Sequence, residues 1–205
     1  MLFSRPTRKR VSLRDISVLI VDDSIVVRNL IKWTLRSGDA GTIREAADGR
    51  AALKRLERFL PDVILVNWRT KPVAGLDFVR QVRNSGTGGP AFARIVVMSR
   101  CCRYRQVLAA RDAGVDEFLV KPLSRAGLLA GIRTVIDNPR RFSCAESYFG
   151  PDRRRNQFTH DGAERRKTDE TIVLPGRNVG QQPWTEPDLS RQAHDPRDQH
   201  VSAWR

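Results

Sequence analysis

The chain has 205 residues, 40% of them apolar, and a formal net charge of +14. That length suits one ordinary domain with tails, and no apolar stretch approaches the roughly 20 residues that span a membrane. Cys101, Cys102 and Cys144 form neither a CxxC metal pair nor an even disulfide framework, and residues 1–6 lack the apolar core of a signal peptide, so a reduced, cytoplasmic setting is expected.

Residues 1–14 read as a basic arm, with five Lys or Arg and no acid. Ser17–Val21 is an apolar, β-branched run suited to a central parallel strand. Ser24 then reads as an N-cap for a helix over Ile25–Arg36, stopped by Ser37-Gly38. Thr42–Ala46 predicts a second strand. Asp48-Gly49 turns the chain into a helix over Arg50–Phe59, which Pro61 ends.

Val63–Val66 predicts the third strand and Leu76–Arg83 the third helix, with Leu76, Phe78, Val79 and Val82 as its apolar stripe. After a glycine-rich loop over Ser85–Pro90, a strand is expected over Ala93–Met98 and a helix over Tyr104–Ala113, with Gly114 closing it. Val115–Val120 predicts the fifth strand. Ser124–Ile136 predicts the last helix, ended by Asn138-Pro139. Alternation of this kind implies an α/β domain over 15–139, with a parallel sheet covered by helices on both faces.

Residues 140–205 change composition to Pro, Gly, Gln, Asp and Arg, which favours a disordered polar tail. The tail carries a near-repeat, Gly150-Pro151-Asp152-Arg153-Arg154-Arg155 and Gly162-Ala163-Glu164-Arg165-Arg166-Lys167, read as paired short interaction motifs. Its 12 basic and 10 acidic residues nearly balance. The positive excess therefore lies on the arm and the domain.

Four of the apolar runs deliver polar residues at their carboxyl ends: Asp22-Asp23, Asn67, Ser99 and Lys121-Pro122. In an open α/β sheet that edge is where ligands and chemistry sit. Two acids, a hydroxyl and a lysine suit a site that holds a divalent cation and takes a phosphoryl group on a carboxylate. Asn67 stands where that carboxylate belongs.

These positions, with Gly75-Leu76 eight and nine residues after Asn67, resemble the receiver domain of two-component response regulators. The resemblance covers residues 15–139 and implies a doubly wound, flavodoxin-like five-stranded sheet of order 2-1-3-4-5. It implies that Asp22 and Asp23 hold magnesium, that Asn67 occupies the phospho-acceptor position, and that Ser99, Phe118 and Lys121 form the switch. The family's lysine–proline bond is commonly cis. Its face of fourth helix, fifth strand and fifth helix commonly meets partners, and here Arg100, Arg103 and Arg105 flank it.

Several residues depart from the pattern. A carboxamide is a poor nucleophile and carries no charge, so Asn67 cannot form an acyl phosphate. Two carboxylates remain where magnesium would find three, leaving a weak or vestigial site. Arg69 is placed to reach back to Asp22 or Asp23 and supply the cation itself. Lys71-Pro72 shifts the loop proline by one place, and Arg100 replaces a small residue.

The expected function is a non-enzymatic receiver-like module that works without phosphorylation at the usual residue. It would contact signalling proteins, a histidine kinase or another regulator, through that face and the tail. Two alternatives remain: a regulator still modulated by a phosphodonor or metal at Asp22 and Asp23, and a nucleic-acid-binding protein using the basic arm and domain. A short basic cluster such as Arg8-Lys9-Arg10 more often ends in solvent than on nucleic acid.

Overall fold

A computed structural model describes residues 11–86, 89–145, 148–152 and 171–173. Five parallel strands, β1 (Val18–Val21), β2 (Ile43–Ala46), β3 (Val63–Asn67), β4 (Arg94–Ser99) and β5 (Glu117–Val120), form a sheet in the order β2-β1-β3-β4-β5. The connecting helices are α1 (Ile25–Ser37), α2 (Gly49–Leu56), α3 (Gly75–Arg83), α4 (Tyr104–Asp112) and α5 (Arg125–Asp137). The fold class and strand order are those expected from the sequence.

Strand alternation decides which helix each residue meets. Leu19, Val21, Ile64, Val66, Ile95 and Val97 pack against Leu56 of α2, Phe78, Val79 and Val82 of α3, and Ala110 of α4. Val18, Ile20, Val63, Leu65, Val96 and Met98 face the other way, onto Ile31 and Leu35 of α1 and Leu128 and Ile132 of α5. Strands covered on both sides must be apolar throughout, which is why they read as continuous runs. Each fully buried Val, Leu or Ile contributes about 1.5–3 kcal/mol relative to exposure.

The helix starts follow local chemistry. Ser24 accepts from the Val27 amide, Asp48 from Ala51 and Ser124 from Gly127, each satisfying a donor that the first helical turn leaves unpaired. The second helix ends at Leu56, three residues before the expected Phe59.

Both expected domain boundaries shift. Leu13 lies in a short 3-10 turn, Leu13–Asp15, and is buried in the α1/α5 core beside half-buried Val11, so the arm expected over 1–14 ends inside the domain. Beyond α5 the chain forms β6 (Phe142–Ala145) and β7 (Tyr148–Pro151), an antiparallel hairpin, and β8 (Thr171–Val173) pairs with the other edge of β6.

The expectation of a disordered tail from residue 140 therefore fails at these segments. Aromatic burial outweighs the polar composition there: Phe142 packs against Phe92 and Phe149, with ring centroids 5.1 and 5.5 Å away. Gly150 and Pro151, expected at the head of a free interaction motif, are buried within β7. The second motif, at 162–167, lies outside the described residues.

Candidate functional site

Asp22, Asn67, Ser99 and Lys121 converge at the carboxyl edge of the sheet because β1, β3, β4 and β5 all end there. Register fixes their relative depth, with Asn67 opposite Met98 and Ser99 opposite Val120. The α3 start closes the edge behind Asn67. A Cβ on Gly75 would come within 2.4 Å of the Asn67 carbonyl oxygen, so only glycine lets that helix approach so closely.

Asp22 is 1% exposed. Its Oδ1 accepts from the Ser24 amide at 2.9 Å and its Oδ2 from Lys121 Nζ at 2.8 Å. Lys121 Nζ also donates to Asn67 Oδ1 at 3.3 Å. On its other side, Asn67 Nδ2 donates to Asp23 Oδ1 at 3.1 Å. A continuous relay thus runs from Asp22 through Lys121 and Asn67 to Asp23.

Arg28 stiffens the same loop from α1, donating to the carbonyls of Asp22 and Asp23 at 2.7 and 3.3 Å and pairing with Glu45 at 3.5 Å. The sequence reading passed over Arg28. Its signal was its place one turn after the Ser24 cap, beside the two acids.

Ser99 is buried, and its Oγ accepts from the Cys101 amide at 3.1 Å. Lys121 meets this residue through backbone, its amide donating to the Ser99 carbonyl at 2.7 Å. Phe118 is half-buried, and its ring lies edge-on to Trp68 at 6.0 Å between centroids. The Lys71–Pro72 and Lys121–Pro122 peptide bonds are both cis.

Arg69 departs from its expected place. It is exposed and pairs with neither acid; Lys121 holds Asp22 instead. Burying Asp22 without a countercharge would be costly, and a lysine leaving β5 brings one at little further exposure. Arg100 lines the site cavity, together with Arg69 and Lys71, and Arg103 and Arg105 are exposed at the start of α4. The three arginines expected as one partner-facing edge therefore divide between the site and the α4 flank.

Magnesium needs near-octahedral oxygen ligands. Both Asp22 oxygens and one Asp23 oxygen are already engaged, and the Lys121 ammonium lies against the acid that would coordinate first. Among the described residues no cluster of three His, Cys, Asp or Glu side chains is placed to hold a metal ion. As arranged, the donor set does not fit a divalent cation.

Among solved structures, chemotaxis protein CheY4 of Vibrio cholerae is 29% identical with a TM-score of 0.55, covering 58% of this chain and 98% of its own. The receiver domain of sensor histidine kinase PA1611 from Pseudomonas aeruginosa is 27% identical with a TM-score of 0.51, covering 58% of this chain and 94% of its own, and that protein has a magnesium ion in its active-site cleft. The transcriptional regulatory protein TrcR of Mycobacterium tuberculosis is 31% identical over 156 residues, 75% of this chain and 56% of that protein. The chain thus spans little more than half the length of such curated relatives. Among the described residues no helix is long and apolar enough to cross a membrane. The profile of the response regulator receiver domain matches residues 18–133, more than half of the chain, and with the sheet order and the converging site residues it places the protein in that family, as a receiver domain of two-component signalling.

Proposed function

We propose that this receiver works without phosphorylation at the acceptor position and signals by protein–protein contact. The observation that carries the reading is the double engagement of Asn67, which donates to Asp23 and accepts from Lys121. A carboxamide cannot attack a phosphodonor, and here its polar atoms are already bonded to its neighbours. The Lys121 ammonium stands in for the charge that a cation would bring to Asp22.

The contact surface is the face of α4, β5 and α5. Tyr104, Val107 and Val120 are exposed there, flanked by Arg103 and Arg105. Apolar groups beside arginines suit a protein partner better than a nucleic-acid backbone, because aromatic and arginine side chains supply most interface energy. A signalling protein, a histidine kinase or another regulator, is the partner class.

Trp68 fluorescence tests the reading, since that ring lines the site and touches Phe118. Magnesium with beryllofluoride should leave the native signal unchanged and move it in Asn67→Asp. A native response as large as the variant's would refute a phosphorylation-independent site.

A further inference from the structure

We infer that the outer face of α1 is a contact between two copies of this chain, paired antiparallel about a two-fold axis. It is distinct from the face of α4, β5 and α5. The helix covers the opposite side of the sheet from α4, and its outer stripe turns away from the core it shares with α5.

The described residues expose seven large apolar side chains. Tyr104, Val107 and Val120 belong to the α4 and β5 face, and the other four, Ile25, Val26, Leu30 and Trp33, all lie on α1. Trp33 is 62% exposed and Val26 73%. At about 100° per residue, Val26, Leu30 and Trp33 fall within about 60° of arc, so they form one stripe along two turns of helix. Ile31, Thr34 and Leu35 face the core from the other side. A helix at the surface of a single domain needs apolar residues only on its inward face. A second, contiguous apolar stripe marks an interaction site rather than ordinary surface.

What identifies the occupant as a second copy is the order of charges around the stripe. Arg28 and Lys32, on its flank, are held by Glu45 of β2. No acid occurs within α1. Arg36, in the last turn, is exposed and has no ion-pair partner among the described residues. Asp23, exposed just ahead of the Ser24 cap, uses Oδ1 for Asn67 and leaves Oδ2 without a donor among the described residues.

A two-fold axis between Asn29 and Leu30 sets Val26 of one copy opposite Trp33 of the other. The same axis sets Asp23 opposite Arg36, at both ends of the contact at once. An isologous interface requires such self-complementarity, which a stripe meeting an unrelated partner has no need of. Antiparallel pairing also brings each helix's positive N-terminus to the other's negative C-terminus. Two such faces bury on the order of 1,000 Å², the lower end of a specific interface, so the dimer is a weak one.

The full chain is sedimented to equilibrium at fixed ionic strength over a range of concentrations. Average mass should rise from the 23.3 kDa of one chain toward twice that value, with a midpoint of about 10–100 µM. Trp33→Ala removes an exposed side chain and should weaken association at least about thirtyfold, because an aromatic anchor is lost on both sides of the axis. Tyr104→Ala, on the other face, should associate as the native chain does. Charge exchange fixes the orientation. Arg36→Glu alone and Asp23→Lys alone each bring like charges together and should weaken association about tenfold. An equimolar mixture of those two variants restores opposite charges at both ends and should form a heterodimer of near-native affinity. Circular dichroism of each variant keeps loss of fold apart from loss of contact.

A native chain that remains monomeric over the whole range gives the stripe to a different protein and overturns the inference. A dimer that survives Trp33→Ala, or dissolves with Tyr104→Ala, overturns it equally. Variants that fail to complement each other in the mixture would rule out the antiparallel pairing.

Discussion

Lys121 Nζ lies 2.8 Å from Asp22 Oδ2, although 99 residues separate the two in sequence. The acid is almost wholly buried and the lysine side chain is 15% exposed, so the pair is shielded from the solvent that makes surface ion pairs weak. Removing one partner of such a pair costs far more than the pair itself contributes. Lys121→Met should therefore lower stability by about 3–5 kcal/mol, as Asp22 is left buried and uncompensated. Magnesium should restore part of that loss, because binding only to the folded state stabilises it. Urea unfolding with and without magnesium measures both effects; a variant insensitive to the metal would show that Lys121 does not occupy the cation's place.

Asn67→Asp tests the neighbouring position in the same relay. The substitution turns the Nδ2 donor that now meets Asp23 into an acceptor and brings a third carboxylate to the edge. Without magnesium, stability should fall by about 0.5–1.5 kcal/mol, the net contribution of the exposed hydrogen bond that is lost. With millimolar magnesium the unfolding midpoint should return to or above the native value. A variant more stable than the native chain without metal would contradict this account of Asn67.

Arg83 and Asp116 form a second buried pair, at the opposite end of the sheet. Arg83 donates to Asp116 Oδ2 at 2.8 Å, to the Gly114 carbonyl at 2.9 Å and to the Ala91 and Ala93 carbonyls at 2.5 and 2.8 Å. Asp116 also accepts from the Ile95 amide at 2.8 Å. Burial lowers the arginine's pKa and raises the acid's, each opposed by the partner's charge. Asp116→Ala should cost about 3–5 kcal/mol, and Arg83→Met/Asp116→Leu together less than the two single losses summed. Additive losses in the double-mutant cycle would mean that the two side chains are not coupled.

The sheet and its polar edge were legible because a parallel strand buried on both faces must be apolar along its length, whereas the strand order came from the family resemblance. Ser24 and Asp48 showed their capping roles through local spacing alone. Long-range relationships were not legible in that way. Arg83 reads as an ordinary basic residue in the last turn of a helix, and nothing within a few positions of it reveals four acceptors drawn from the segments that lead into β4 and β5.

The family resemblance placed Lys121 and Asp22 on one edge, but the cation beside the acids was expected from Arg69, and Lys121 supplies it. The hairpin over 142–151 was hidden by its arginine- and proline-rich surroundings. Its alternating signal, Phe142, Cys144 and then Phe149, is too short to outweigh them.

That hairpin supplies the last prediction. Phe142 is buried against Phe92 and Phe149, and the Arg83 guanidinium lies 5.1 Å from its ring centroid. The ring therefore covers one face of the buried arginine node, adding a cation–π contact to its apolar burial. Phe142→Ala should cost about 3–5 kcal/mol, with Phe142→Leu costing less because it refills most of the volume. Gly150 must stay small for the same packing, since an added Cβ would sit 2.8 Å from the Tyr148 hydroxyl and 3.3 Å from the Gly114 backbone. Gly150→Ala should thus destabilise while leaving the Asn67 edge unchanged, as read by the Trp68 fluorescence of the folded protein. If urea unfolds Phe142→Ala and the native chain at the same midpoint, the hairpin is not part of the domain's cooperative unit, and the five-stranded sheet with its helices carries the stability alone.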